Sequence, residues 1–379
     1  MTNQLVDYIS SKEEDYLALF KKMIELESPT YRKDKVDQLV DFIEGYLVEQ
    51  GVKVNRVKDT KFGDHLVGEW GDGEEQVMFL GHIDTVWEVG TIDQIPFNVD
   101  ENGRITGPGT YDMKGGVFQG LYALKVMNEL NLKSKYKIVF IINTDEEVGT
   151  PSSRSVIEEY AKQCKYVLCA EPANYPDGVV KTSRKGAARF NLEITGIAAH
   201  SGADPYDGVS AIHEFAHQVV YLESLADKEK GTTVNVGTVK GGTRPNVIAP
   251  SLHAEIDVRV TVMSEAERVI PLIKDLKPIN PRAKVNITGD LNRLPMERSP
   301  QGVDLFHRIK DIAKKEQGFD LSETPSGGGS DANITAALGV PSICGMGVVG
   351  SGAHSVDEHC LLEYIPQRIA LLINIFMKI

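Results

Sequence analysis

The chain of 379 residues has only four cysteines, Cys164, Cys169, Cys344 and Cys360, too few and too scattered for a disulfide framework. They read as free interior thiols. Basic runs are missing too: 41 Lys and Arg against 54 Asp and Glu leave a formal net charge of -13. That excludes a nucleic-acid backbone or an anionic membrane surface as the main partner, because either needs a basic face. No apolar stretch approaches the ~20 residues that cross a bilayer. The N-terminal MTNQLVDYISSKEEDYL is acidic where a secretion signal is basic and then apolar, and its spacing suggests an amphipathic helix. A cytoplasmic location is expected. There is no phosphate-binding G-x-x-x-x-G-K-[ST] loop and no G-x-S-x-G nucleophile elbow.

Hydrophobic residues at 41% and charged residues at 25% describe a globular protein, and the length favours two domains. Short apolar runs at 76–81, 136–144, 166–170 and 341–347 read as buried parallel strands. Helical patterns at 116–130 and 152–163 separate them. The expected fold is α/β, a mostly parallel sheet with helices on both faces. Between 181 and 294 the order becomes β-α-β-β-α-β, a ferredoxin-like unit inserted into the outer domain. The outer domain is thus expected in two segments, 1–180 and 295–379, around an insert at 181–294.

Two familiar motifs lead elsewhere. IHEFAHQ at 212–218 contains H-E-x-x-H, a helix pattern of zinc proteases. Its helix has an apolar stripe of Val209, Ile212, Phe215, Ala216 and Val219, with His213 and His217 at the flank. No third ligand follows at a suitable spacing, so surface or dimer-face histidines are expected. GMGVVG at 345–350 matches G-x-G-x-x-G, but a loop follows where a dinucleotide site needs a helix.

In an open α/β sheet, ligands bind beyond the carboxyl ends of the strands. Here the strand patterns end in GHID, TDEE and AEP, and the fourth is followed by GAHS. They deliver His82 and Asp84, then Asp145, Glu146 and Glu147, then Glu171, then His354. GPGTYDMKGG adds Asp112 before a glycine pair that opens a helix. One acid after a strand is usually a cap or turn residue. So many acids and imidazoles at one edge repel each other unless divalent cations neutralise them. Histidine and carboxylate donors without cysteine suit a catalytic zinc site, with cobalt or manganese as alternatives. His82 and Asp84, two apart, can share a face, so that the carboxylate fixes the imidazole tautomer.

With GHIDTV at 81–86, GPGTYDMKGG at 107–116, INTDEEVG at 142–149, AEP at 170–172, AAHSG at 198–202 and GAHS at 352–355, the chain resembles the co-catalytic dizinc exopeptidases and deacylases. That superfamily includes glutamate carboxypeptidase, succinyl-diaminopimelate desuccinylase and acetylornithine deacetylase. The resemblance implies that Asp112 bridges two metals, that His82 and Glu171 complete one, and that Glu147 and His354 complete the other. Glu146 would be the general base and Asp84 would orient His82. It further implies that the insert dimerises and serves as a lid, and that His200 reaches the partner's site to stabilise an oxyanion. Asn246 and Arg259 would hold the substrate's carboxylate.

The expected activity is hydrolysis of an amide bond beside a free carboxylate, in a small peptide or an N-acyl amino acid. Glutamate carboxypeptidase gives the nearest local likeness, through HIDTVW, INTDEEVG and GGGSDAN. Met113, where that enzyme type carries a second Asp, leaves an N-acyl amino acid deacylase as the alternative. A non-catalytic dimer that binds metal or peptide is the alternative of another class.

Overall fold

The computed structural model describes residues 4–379. Of the acidic N-terminal segment, residues 1–3 lie outside the described residues, and the rest forms helices Gln4–Ser10 and Glu13–Glu25. The chain divides into two compact units. One comprises the chain up to Thr182 with Arg298–Pro325 and Ser330–Ile379; the other is Ser183–Glu297 with Ser326–Gly329.

The first unit is built on an eight-stranded sheet. Its spatial order is Lys53–Val57, His65–Trp70, Lys137–Asn143, Gln76–His82, Cys164–Cys169, Ser342–Cys344, Val180–Arg184 and Glu323–Ser326. The four apolar runs of the sequence are its centre, and their three pairings are parallel. The flanking pairings between Lys53–Val57, His65–Trp70 and Lys137–Asn143 are antiparallel, as is that between Ser342–Cys344 and Val180–Arg184. Gln76–His82 and Lys137–Asn143 are buried along nearly their whole length, which is why they carry apolar residues without alternation. Helix Lys114–Glu129 packs on Gln76–His82 and against helix Ile365–Lys378, while Arg154–Ala161 packs on Cys164–Cys169. All four cysteines are buried and unbridged. A second small sheet orders Asn98–Val99, Arg104–Thr106, His359–Leu361, Val349–Ser351 and Ala173–Asn174.

The second unit has its own core. Its sheet runs Thr233–Gly241, Ser251–Val260, Gly186–Thr195, Lys284–Arg293, all antiparallel. Burial alternates along Gly186–Thr195, so one face is covered and the other open. Phe190, Leu192, Ile194, Ala254, Ile256 and Val258 supply the covered face, each larger side chain contributing about 1.5–3 kcal/mol by leaving water. Helices Ala211–Ser224 and Met263–Lys274 complete the β-α-β-β-α-β order. Ser210 caps the first of these by accepting the His213 N–H at 3.2 Å. The glycine loop Ser326–Gly329 clusters with this unit: Lys185 N–H donates to Ser326 O at 3.0 Å, and the Arg184 guanidinium donates to Gly328 O at 3.0 Å. Among the described residues no helix is long and apolar enough to cross a membrane.

Candidate dimetal site

Strand Gln76–His82 ends on the His82 imidazole, which is 1% exposed. His82 Nδ1 lies 3.0 Å from the Asp84 backbone oxygen and 3.4 Å from Asp84 Oδ1. Its Nε2 faces Asp112 Oδ1 at 3.4 Å and Glu146 Oε2 and Glu171 Oε1 at 3.9 Å each. At these distances it is surrounded by carboxylates yet makes no well-formed hydrogen bond. The other Asp112 oxygen, Oδ2, faces His354 Nε2 at 3.4 Å, and His354 Nε2 is 3.2 Å from Glu147 Oε2. Asp112 therefore offers one oxygen to each of two imidazoles, and each imidazole has a further carboxylate beside it. Ligand atoms of His82, Asp112 and Glu147 lie within 4.8 Å of one another.

Charge balance tests whether this set suits metal. Burial opposes charge on His82, yet the Asp112 and Asp84 carboxylates hold its imidazolium well above the usual value. His354 is pushed up to about 10 by Asp112 and Glu147. Burial pushes the Asp112 carboxyl up, but His354 and His82 outweigh it and hold it below the ordinary range. Glu147 is raised, chiefly by burial. Protons on the two imidazoles stand in for positive charge that the carboxylates demand. The buried Nε2 of His82, aimed at three carboxylates, fits a divalent cation.

The local backbone explains the convergence. Glu146 and Glu147 sit on the short turn Glu146–Val148, which closes at Gly149 and at Thr150 with φ 62°. Their N–H groups donate to Asp84 Oδ1 and Oδ2, both at 3.2 Å, and Thr30 Oγ1 donates to Oδ2 at 2.8 Å. One fully buried carboxylate thus steadies both the His82 ring and the acidic turn. His354 is held at φ 60°, a left-handed conformation costly for a residue with a side chain and common where function over-determines geometry. Gly116 and Gly347 close the floor. A Cβ on Gly116 would lie 1.8 Å from Ala170 O, and one on Gly347 would lie 2.2 Å from the same oxygen. The helix that follows Asp112 can therefore pack directly on the segment that carries Glu171.

Asp145 departs from the edge proposed for it. Its carboxylate turns inward to accept from the N–H and hydroxyl groups of Ser152 and Ser153, so it is fully buried and serves the turn. Sequence reasoning missed Thr30 and Glu358, which contact Asp84 and the Asp112 loop across long sequence separations and carry no local pattern. The IHEFAHQ motif is structural: Glu214 is 2% exposed and accepts from the N–H groups of Ile279 and Asn280 at 2.8 and 2.9 Å. That pulls Glu214 and Gln218 onto the buried face with Ala211 and Leu222 and leaves Ile212 48% exposed, overturning the expected apolar stripe. His213 and His217 are exposed and meet edge to face at 4.9 Å. GMGVVG runs into strand Val349–Ser351, so no helix follows it.

Three other candidates lie in the second unit. His200 Nδ1 accepts the N–H groups of Gly202 and Ala203 at 3.1 Å each, which leaves Nε2 as the donor on an exposed ring. Asn246 is its neighbour, since Ser201 N–H donates to Asn246 O at 3.1 Å and His200 bridges to Val247. Arg259 sits at the far end of strand Ser251–Val260, paired across two bonds with Asp257 at 2.8 and 3.0 Å. Within this unit the structure groups His200 with Asn246 and sets Arg259 apart.

Residues 78–378 match the model of Peptidase family M20/M25/M40. The chain belongs to this family. It is 29% identical over 383 residues to carboxypeptidase G2 of Pseudomonas sp. (strain RS-16), covering 100% of this chain and 92% of that one. It is 26% identical over 374 residues to the acetylornithine deacetylase of Buchnera aphidicola subsp. Schizaphis graminum, covering 92% and 94%. The crystal structure of aminopeptidase PepT from Bacillus cereus ATCC 10987 superposes with a TM-score of 0.81 at 22% identity, covering 96% and 98%. Family membership makes the protein a hydrolytic enzyme of the metallopeptidase kind, and the cluster around Asp112 is its candidate metal site.

Proposed function

We propose that the protein hydrolyses an amide bond next to a free carboxylate, releasing a C-terminal amino acid such as glutamate from a small peptide or acyl conjugate. The observation that carries this reading is Asp112, whose two oxygens face His82 and His354 separately. In this reading two divalent ions, zinc in the first instance, would share Asp112, with His82 and Glu171 available to hold one and Glu147 and His354 the other. When bound, such ions supply Lewis acidity and lower the pKa of a water.

Glu146 is the base. It takes a proton from the attacking water and returns it to the leaving nitrogen. Asp84 fixes the His82 ring and the turn that carries Glu146. His200 Nε2–H donates to the developing oxyanion, an interaction typically contributing about 3–4 kcal/mol. Asn246 and Arg259, although apart within one unit, are the groups assigned to the substrate's carboxylate, which on Arg259 exchanges with Asp257 on the guanidinium fork.

The insert, 181–294, is the dimerisation and lid domain. Exposed Ile212, Val220 and Tyr221 on helix Ala211–Ser224 and Val239 on the neighbouring edge strand Thr233–Gly241 support a homodimer through this unit. Free, buried thiols suit a cytoplasmic enzyme. Met113 and the deacetylase relative favour a second reading, removal of an acetyl or succinyl group from an amino acid.

The test strips metal with a chelator, restores zinc, cobalt or manganese, and assays C-terminal glutamyl peptides beside acetyl and succinyl amino acids. Release of glutamate with two metals per chain is expected. Turnover of acyl amino acids alone would select the second reading, and a two-metal protein inert on the whole panel would reject both.

A further inference from the structure

Four residues past His354, just before strand His359–Leu361, Glu358 is 1% exposed, and its carboxylate takes four hydrogen bonds. Oε1 accepts the N–H groups of Tyr111 at 2.9 Å and Asp112 at 3.0 Å. Oε2 accepts the indole N–H of Trp87 at 2.7 Å and the N–H of Gly109 at 3.2 Å. Trp87 follows His82 and Asp84 in the same segment, GHIDTVW. Glu358 is itself tied back toward His354, since its N–H donates to Ser355 O at 2.9 Å and Ser355 N–H donates to Gly352 O at 3.0 Å.

Three segments that bring His82, Asp112 and His354 to the site therefore meet on one side chain. We propose that Glu358 is the positioning residue that sets Asp112 between His82 and His354, and so governs how tightly the site holds its two cations. This rests on the dimetal reading of the cluster. Asp112 has to present one oxygen to each side, and its own N–H is anchored on Glu358. A small tilt of that loop lengthens one 3.4 Å approach as it shortens the other.

The chemistry demands a carboxylate rather than any polar filler. Each oxygen accepts two donors, so an amide of the same shape must aim its NH2 at two N–H groups whichever way it is turned. Either the Tyr111 and Asp112 N–H groups or those of Trp87 and Gly109 lose their acceptor in a buried place.

Zinc affinity, measured by competition with a chromogenic chelator, tests this without any substrate. Glu358→Gln should weaken zinc binding by roughly 10- to 100-fold, the usual effect of losing a partner behind a metal ligand. Added zinc should restore much of its turnover with KM little changed, which a purely structural lesion would not permit. Trp87→Phe removes one donor and should weaken binding about fivefold, as one hydrogen bond would. In the double variant the loss should be smaller than the product of the two, because the phenyl ring no longer opposes the amide. A folded Glu358→Gln protein within threefold of the parent's affinity overturns the proposal. If that variant does not fold, unchanged affinity in Trp87→Phe overturns it instead. A parent protein that binds no zinc sinks the dimetal reading itself, whereas a tight-binding parent with unmoved variants sinks only the role of Glu358.

Discussion

Replacing Asp84 by Asn keeps the shape of a fully buried side chain and removes its charge. Oδ1 accepts the Glu146 N–H, while Oδ2 accepts the Glu147 N–H and the Thr30 hydroxyl. An asparagine NH2 placed at either position leaves one backbone N–H of the acidic turn without an acceptor, at a cost of about 1–3 kcal/mol. The same step removes a negative charge 3.4 Å from His82 Nδ1. Loss of a carboxylate behind a metal-binding histidine typically costs about 10- to 100-fold in affinity or activity, or about 1.4–2.7 kcal/mol. The two routes predict similar magnitudes but different responses to metal. Weakened zinc affinity should recover with excess zinc, whereas a displaced Glu146 should leave kcat depressed at saturation. We expect both, measured as a zinc competition curve and as kcat in saturating zinc. Full kcat at saturation would refute the part of the reasoning that ties Asp84 to Glu146, and unchanged zinc affinity as well would refute all of it.

Glu146→Gln should lower kcat by about 10²- to 10⁴-fold with metal content unchanged, and retained turnover would remove Glu146 as the base. Because His354 is raised to about 10 and His82 also lies well above its usual value, both hold protons at pH 7 when metal is absent. The His354 proton stabilises the metal-free fold fully below the ordinary histidine value of about 6.5, and that contribution fades as pH rises through about 10. Zinc uptake should therefore release protons and tighten by up to about tenfold per pH unit for each one, seen as buffer-dependent heats in titration calorimetry; buffer-independent heats would count against it. Asp64 is 2% exposed; burial opposes its charge, but Lys33, Lys58 and Arg56 hold its carboxyl below the usual range. Its stabilisation is present above about pH 4 and is lost as pH falls toward the lowered value. Asp64→Asn should cost about 2 kcal/mol in denaturant unfolding at pH 7 and progressively less in acid, and an equal loss at pH 3 would contradict the linkage. His213→Ala and His217→Ala should leave metal content unchanged by elemental analysis.

The centre of the larger sheet was readable because strands buried on both faces must be apolar throughout, as at 76–81 and 136–144. His65–Trp70 was not, since HLVGEW is short, mixed and broken by glycine, and the small sheet uses strands of two or three residues that leave no periodicity. The gathering of His82, Glu146, Glu147 and Glu171 followed from where strands end, while Asp112 and His354 come from loops beside that edge. The inward turn of Asp145 did not, because it depends on serines that arrive several residues later. Glu214 was misleading for a related reason: its acceptors' partners, Ile279 and Asn280, lie 65 and 66 residues away, and burial of an acid on a helix face is invisible until those N–H groups are placed.

The contact of Gly116 and Gly347 with the Ala170 oxygen also bears on how the enzyme can diversify. A methyl group on Gly116 would prise the Asp112 helix away from the Glu171 segment, and one on Gly347 would push its own loop off the same segment. Selection for a new substrate therefore has no route through these two positions. Variation that spares hydrolysis has to come from positions where side chains can be exchanged without moving the backbone that carries Asp112 and Glu171.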